Sequence, residues 1–101
     1  MPRRLKIMTV CGFGVGTSMI LKMEVDKVLK KNSLQSKAEA FPCDITSATS
    51  EPCDLCFTSA EISSQLVGRV KAPLVIISNF LDTAEIEEKG IGIINELISK
   101  L

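Results

Sequence analysis

The sequence predicts an α/β fold, an open four-stranded parallel sheet in the order 2-1-3-4 with helices on both faces. Three observations carry that expectation. Short apolar runs, several rich in β-branched residues, alternate with segments of helical periodicity along the whole chain. That alternation implies right-handed βαβ crossovers and strands buried on both sides. At 101 residues and 46 % apolar content the chain suffices for one compact domain and not for two, so residues 1–101 are read as a single domain.

Leu5–Val10 (LKIMTV) is an apolar run that ends at Cys11-Gly12 and suits a buried first strand. From Thr17 to Lys31, Leu21, Val25 and Val28 recur at spacings of four and three, flanked by Met19, Met23 and Leu29, which marks an amphipathic helix stopped by Asn32-Ser33. Lys37–Cys43 alternates weakly and holds a proline, which places a second strand at a sheet edge. Asp54–Thr58 reads as the third strand. Thr58 and Glu61 then have capping-box spacing for a short helix that Gly68 ends. Pro73–Ser78 is the fourth strand. Asp82 and Glu85 repeat the capping spacing, and Ile94, Leu97, Ile98 and Leu101 mark a C-terminal helix.

Composition excludes several functions. The chain has no histidine, so neither a Ser/His/Asp nor a Cys/His device can be assembled and a histidine phosphocarrier is impossible. A formal net charge of zero gives no electrostatic case for nucleic acid or an anionic membrane. No apolar run is long enough to span a bilayer, and MPRRLKIM lacks the apolar stretch of a cleavable signal, so a soluble cytoplasmic protein is expected. Four unevenly spaced cysteines beside an ample aliphatic core point to reduced thiols, not a disulfide scaffold. Covalent chemistry falls mainly to cysteine, and no metal or cofactor is expected. Charge is asymmetric: residues 1–37 hold eight Lys or Arg against Glu24 and Asp26, which reads as opposite charges brought together by folding or as ordinary solvated faces.

A parallel sheet of this order is flavodoxin-like, and it binds ligands beyond the carboxyl ends of its strands, beside the first one. Cys11 stands at that place. Gly12, Gly14 and Gly16, interleaved with Phe13 and Val15, lack the Cβ that would prevent successive N–H groups from turning inward as an anion nest. The following helix adds its positive end; no acid stands between Cys11 and Met23, while Lys27, Lys30 and Lys31 complement the far end. The same field stabilises a thiolate. A nucleophilic thiolate among phosphate-binding amides suits acceptance and transfer of a phosphoryl group, making Cys11 a phosphocysteine. The alternative at this point is a buried, inert Cys11 beside glycines that merely permit a turn.

Other motifs fit less well. Thr17 stands where a Walker A loop needs lysine and where a dinucleotide fingerprint needs glycine. Low-molecular-weight tyrosine phosphatases place a nucleophilic cysteine after the first strand of a similar sheet, but in C-x5-R-[ST] the arginine position is Thr17 here, although Ser18 keeps the hydroxyl. Cys53 and Cys56 have CxxC spacing, yet the second lies in a predicted strand, where residues three apart face opposite sides, so both read as packed thiols. Cys43 is read likewise.

Val10–Leu29 (VCGFGVGTSMILKMEVDKVL) closely resembles the start of the enzyme IIB component of the phosphoenolpyruvate-dependent sugar phosphotransferase system, in its ascorbate/galactitol group and nearest the ascorbate type. Val75–Leu81 (VIISNFL) resembles the segment closing that family's fourth strand. The resemblance implies a cytoplasmic phosphocarrier whose cysteine, here Cys11, takes a phosphoryl group from a histidine of enzyme IIA. It passes the group to a sugar held by the membrane component IIC, docking at the inner face of the membrane. Gly12, Phe13, Gly14, Val15, Gly16, Thr17 and Ser18 would form the phosphate loop, backbone amides being the main donors and the two hydroxyls helpers. Phe13 and Val15 depart from the polar residues expected of ascorbate-type loops; they either pack inward or form a greasy docking rim. Pentitol, galactitol and ascorbate-like sugar acids all stay open, beside a small phosphatase-like hydrolase and an anion-binding module without chemistry.

The Cys11 thiol should have a pKa lowered from about 8.5 into the ~3.5–7.5 range found at helix N-termini. Iodoacetamide alkylation followed against pH by peptide mapping measures it, and an unshifted, unreactive Cys11 is the result that rejects the carrier.

Overall fold

The computed structural model describes residues 4–10, 15–79 and 81–100, with the backbone alone described for 15–18. In chain order these are β1 (Leu5–Val10), α1 (Val15–Lys31), β2 (Ala38–Cys43), α2 (Ile45–Ala48), β3 (Leu55–Thr58), α3 (Ala60–Leu66), β4 (Leu74–Ile76) and α4 (Thr83–Ser99). All pairings are parallel and the order is β2-β1-β3-β4, as the alternation predicts.

Each strand is two-sided because each carries apolar residues at both parities, the pattern that a sheet covered on both faces requires. Leu5 and Ile7 of β1, Leu55 and Phe57 of β3, and Val75 of β4 join Leu21, Val25, Val28 and Leu29 of α1 and Ile86 and Ile94 of α4 in one apolar layer. Met8, Val10 and Cys56 face the other way, onto Ala48 of α2 and Ile62 and Leu66 of α3. Strand β2 pairs only with β1, so Pro42, lacking an N–H, lies on an edge strand as expected.

Helix α1 ends in a Schellman turn. Ser33 takes φ +59°, Ser33 N–H donates to the Lys30 carbonyl (3.1 Å) and Leu34 N–H to the Leu29 carbonyl (2.7 Å). Leu34 and Leu29, both buried, supply the apolar contact that accompanies this motif. The chain thereby turns straight into the edge strand.

The structure corrects the sequence reading at several places, among them the fourth strand, which is Leu74–Ile76 and not Pro73–Ser78. Helix α1 starts at Val15, not Thr17. Helix α2 was not foreseen: its four residues are too short for a periodic signal, and it is set by the Asp44 carboxylate accepting from Ser47 N–H (2.6 Å). The residue before α3 is Ser59 and not Thr58, which remains in β3; two hydroxyl residues in succession make the cap ambiguous by one position. Asp82 does cap α4, accepting from Glu85 N–H (3.1 Å), but the Glu85 side chain does not close the capping box onto Asp82, and reaches into the loop before it.

Gly90 makes α4 lie close to the sheet. A Cβ there would stand 2.5 Å from Cζ of the fully buried Phe57, whereas a Cβ at Gly92 would meet nothing within 4 Å. Gly90→Ala should therefore destabilise the protein by about 1–3 kcal/mol, since a packed core resists added volume. Gly92→Ala should stabilise it by about 0.5–1 kcal/mol through helix propensity alone. Urea unfolding of the two variants reads the opposite signs directly.

Candidate functional site at the carboxyl edge of the sheet

The predicted site centres on Cys11. Cys11, Gly12, Phe13 and Gly14 lie outside the described residues; in sequence they join β1 to α1. Val15, Gly16, Thr17 and Ser18 form the opening turn of α1, so their amides are the four N–H groups of the helix without an intrahelical acceptor. No acid occupies that first turn, and Lys30 and Lys31 stand in the last, so the helix dipole is unquenched at its positive end. The glycine-rich loop is thus shorter than the sequence reading had it, and its later members offer helical amides.

Two further segments share this edge. Strand β3 is bonded to β1 with Val10 opposite Thr58, so Thr58 and Ser59 stand beside the end of β1. Thr58 is fully buried, and among the described residues neither Thr58 Oγ1 nor the buried Ser59 Oγ has a hydrogen-bond partner. Ser59 has the backbone angles of an N-cap, φ −93° and ψ 162°, but its side chain makes no capping bond. Sequence reasoning spent Thr58 on a helix cap and left Ser59 without a role.

The loop after β4 is the other segment, and Glu85 orders it. One carboxylate oxygen accepts from Ser78 N–H (2.8 Å), the other from Asn79 N–H (3.0 Å), and Lys89 Nζ donates to it at 2.6 Å. Lys89 Nζ also donates to the Ile76 carbonyl (3.2 Å). The Lys89 bond, followed by the backbone amides, holds the Glu85 pKa down at about 2. Farther along α1, buried Glu24 accepts from Thr83 Oγ1 at the start of α4 and from Lys27 Nζ (2.7 Å), and these bonds, the lysine first, lower its pKa. The two helices flanking the edge are tied together by that carboxylate. Around them the surface is apolar: Met19, Ile20 and Met23 on α1 are exposed, as is Leu81.

The remaining thiols are unsuited to chemistry. Burial pushes Cys56 up to about 12, with Cys53 and Cys43 adding to the effect. Cys43 is raised by burial and by Glu51 and Asp44, and Cys53 by burial and Asp54. All three are packed thiols, as expected, but Cys53 and Cys56 do not face opposite sides: Cys53 precedes β3, and both contact the apolar layer beneath α2 and α3. Among the described residues no group of three or more Cys, Asp or Glu side chains is arranged to hold a metal. A hollow of about 380 Å³ lined by Glu51, Cys53, Arg69 and Lys71 lies at the opposite, amino-terminal edge of the sheet, away from this site.

A family model described as "PTS system, Lactose/Cellobiose specific IIB subunit" matches residues 6–90. The chain belongs to this phosphotransferase-system IIB family. An ascorbate-specific PTS system EIIB component of Mycoplasma pneumoniae is 31 % identical over 86 residues, covering 85 % of this chain and 90 % of that protein. Its counterpart in Escherichia coli O157:H7 is 29 % identical over 92 residues, 91 % of each. The lactose-specific IIB domain of Streptococcus pneumoniae superimposes with a TM-score of 0.60 over 92 % of this chain and 97 % of that one, at 12 % identity, which establishes a shared fold. The resemblance read from Val10–Leu29 thus extends over nearly the whole IIB chain. Among the described residues no helix is long and apolar enough to cross a membrane.

The Glu85 clamp makes stability at this edge pH-dependent in a defined direction. Its carboxyl titrates near 2 when folded against about 4.5 when free, so its contribution is full above 4.5 and lost as pH falls toward 2. Glu85→Gln should cost about 1.5 kcal/mol at pH 7. Urea unfolding at pH 7, 4.5 and 2.5 should find the gap between wild type and variant closing only below pH 4.5.

Proposed function

We propose that this IIB protein is a phosphocarrier in which Cys11 accepts a phosphoryl group from a histidine of enzyme IIA and delivers it to a sugar held by the membrane component IIC. The observation that carries the proposal is the contrast among the thiols. Burial raises the pKa of Cys43, Cys53 and Cys56, helped by acidic neighbours at Cys43 and Cys53 and by the other two thiols at Cys56. Cys11 precedes a 17-residue helix whose first turn carries no acid and whose first four amides have no intrahelical acceptor, whereas the helix after Cys43 opens on the capping Asp44 carboxylate.

The chemistry balances without a cofactor. The thiolate of Cys11 attacks the phosphorus of a phosphohistidine whose other ring nitrogen is protonated, an S–P bond forms as the N–P bond breaks, and neutral imidazole leaves. In the second step a sugar hydroxyl attacks the same phosphorus, the S–P bond breaks, the thiolate returns, and the hydroxyl proton passes to a base outside this chain. Amides of residues 12–18, with the Thr17 and Ser18 hydroxyls, stabilise the equatorial oxygens in both steps. The absence of histidine suits a carrier whose donor histidine belongs to its partner. Thr17 in the arginine position of C-x5-R-[ST] disfavours a hydrolase, which needs the planar fork to hold phosphate for water.

The names of the relatives support an ascorbate-type sugar as substrate. Residues 1–101 would work as one cytoplasmic domain that meets IIC at the inner membrane face. Exposed Met19, Ile20, Met23 and Leu81 supply an apolar rim for that docking.

Incubation with phosphoenolpyruvate, enzyme I, the histidine carrier protein and candidate IIA proteins should add one phosphoryl group, read by intact mass and absent in Cys11→Ser. No adduct with any IIA, together with turnover of p-nitrophenyl phosphate, would replace the carrier by the hydrolase.

A further inference from the structure

Strand β4 is an edge strand, bonded to β3 and to no other strand among the described residues. The Pro73 carbonyl accepts from Cys56 N–H (3.0 Å) and Ile77 N–H donates to the Thr58 carbonyl (2.8 Å), so odd-numbered residues turn their backbone groups toward β3. Even-numbered residues turn theirs to the open side. Two of those outward groups are taken by side chains of α4. Lys89 Nζ donates to the Ile76 carbonyl (3.2 Å), Glu85 Oε2 accepts from Ser78 N–H (2.8 Å), and the same oxygen accepts from Lys89 Nζ (2.6 Å). In a parallel sheet one residue of the next strand makes these two bonds, its N–H to one carbonyl and its C=O to the N–H two residues on. The ion pair thus fills one place of a fifth strand. Before that point the edge is open. The N–H groups of Leu74 and Ile76 and the Leu74 carbonyl meet no partner among the described residues, and Ile76 is 41 % exposed. Unpaired edge groups beside apolar side chains are a template for another strand.

We propose that the Lys89–Glu85 pair is a guard that keeps β4 from pairing antiparallel with β4 of a second copy of this chain. The inference is independent of the phosphocysteine reading. A second copy is the occupant because the edge complements itself. Outward groups on residues 72, 74 and 76 allow a two-fold pairing centred on Leu74, with Ile76 opposite Ala72 of the other copy. Lys89 opposes that pairing in two ways. It occupies the Ile76 carbonyl that Ala72 N–H of the second copy needs. It also sets an ammonium where that copy brings Lys71 and Arg69, both exposed. Without Lys89 the Glu85 carboxylate stands bare at the same spot, and repulsion of those cations becomes attraction. A three-residue strand gives few bonds and little area, so the pairing is weak and one lysine suffices to prevent it.

Sedimentation equilibrium compares wild type with Lys89→Ala, Lys89→Arg and the double variant Lys89→Ala/Lys71→Glu, each checked for a cooperative thermal transition. Wild type and Lys89→Arg should stay monomeric, since arginine keeps the charge and a donor. Lys89→Ala should dimerise at least about tenfold more tightly than wild type, and adding Lys71→Glu should reverse this by setting a carboxylate against Glu85. Lys89→Met, which keeps the apolar stem, takes the place of Lys89→Ala if alanine loosens the fold. Backbone amide exchange locates the contact. In wild type the Leu74 and Ile76 amides should exchange at least about tenfold faster than those of Val75 and Ile77, and in Lys89→Ala they should gain protection as concentration rises. A dimeric wild type, slow Leu74 and Ile76 amides in the wild-type monomer, or a Lys89→Ala variant that stays monomeric each overturns the proposal. Association of Lys89→Ala without protection at Leu74 and Ile76 also overturns it, in favour of contact through the apolar rim at Met19 and Leu81.

Discussion

The structure depends on the burial of β1. Leu5 and Ile7 press into one apolar layer, Met8 and Val10 into the other, and β2 and β3 take up its backbone on both sides. A strand enclosed on four sides has one permitted register, because a slip by one residue would exchange its two apolar faces and carry Lys6 inward. The end of the strand is therefore fixed in space, and with it the point from which residue 11 departs. Everything proposed for the carboxyl edge follows from that anchoring.

Around that point the chain places partial charges. The start of α1 offers amides without acids. The full charges nearby are used for architecture instead: Glu85 holds the loop after β4, and Glu24 ties α1 to α4. Such a division makes physical sense for a site that must receive and release a dianion. Fixed dipoles stabilise the charge without the deep well that a paired cation would create.

Much of the fold was legible because its signals are local and repeated. Leu21, Val25 and Val28 on one helix face, and the unbroken apolar runs of the strands, express periods of 3.6 and 2 that any window along the chain reveals. The misses have equally definite causes. Helix α2 is one turn long and rests on the single cap of Asp44, so it has no period to detect. Thr58 and Ser59 are both good caps, and only the extent of pairing with β1 and β4 assigns Thr58 to the strand. Opposite faces for Cys53 and Cys56 were read by extending the alternation of the Asp54–Thr58 strand back to Cys53, which lies before β3 begins at Leu55.

The sequence by itself determined the strand order, the position of a cysteine ahead of a long helix whose first turn carries no acid, and the exclusion of histidine chemistry. Those properties belong to residue type and spacing along one dimension. Tertiary structure alone decided which hydroxyls go unpaired, where the Glu85 carboxylate reaches, and how far burial raises the other thiols. Each of these is set by groups distant in sequence or by the local loss of water, and desolvation is a property of the packed molecule, not of any residue read singly.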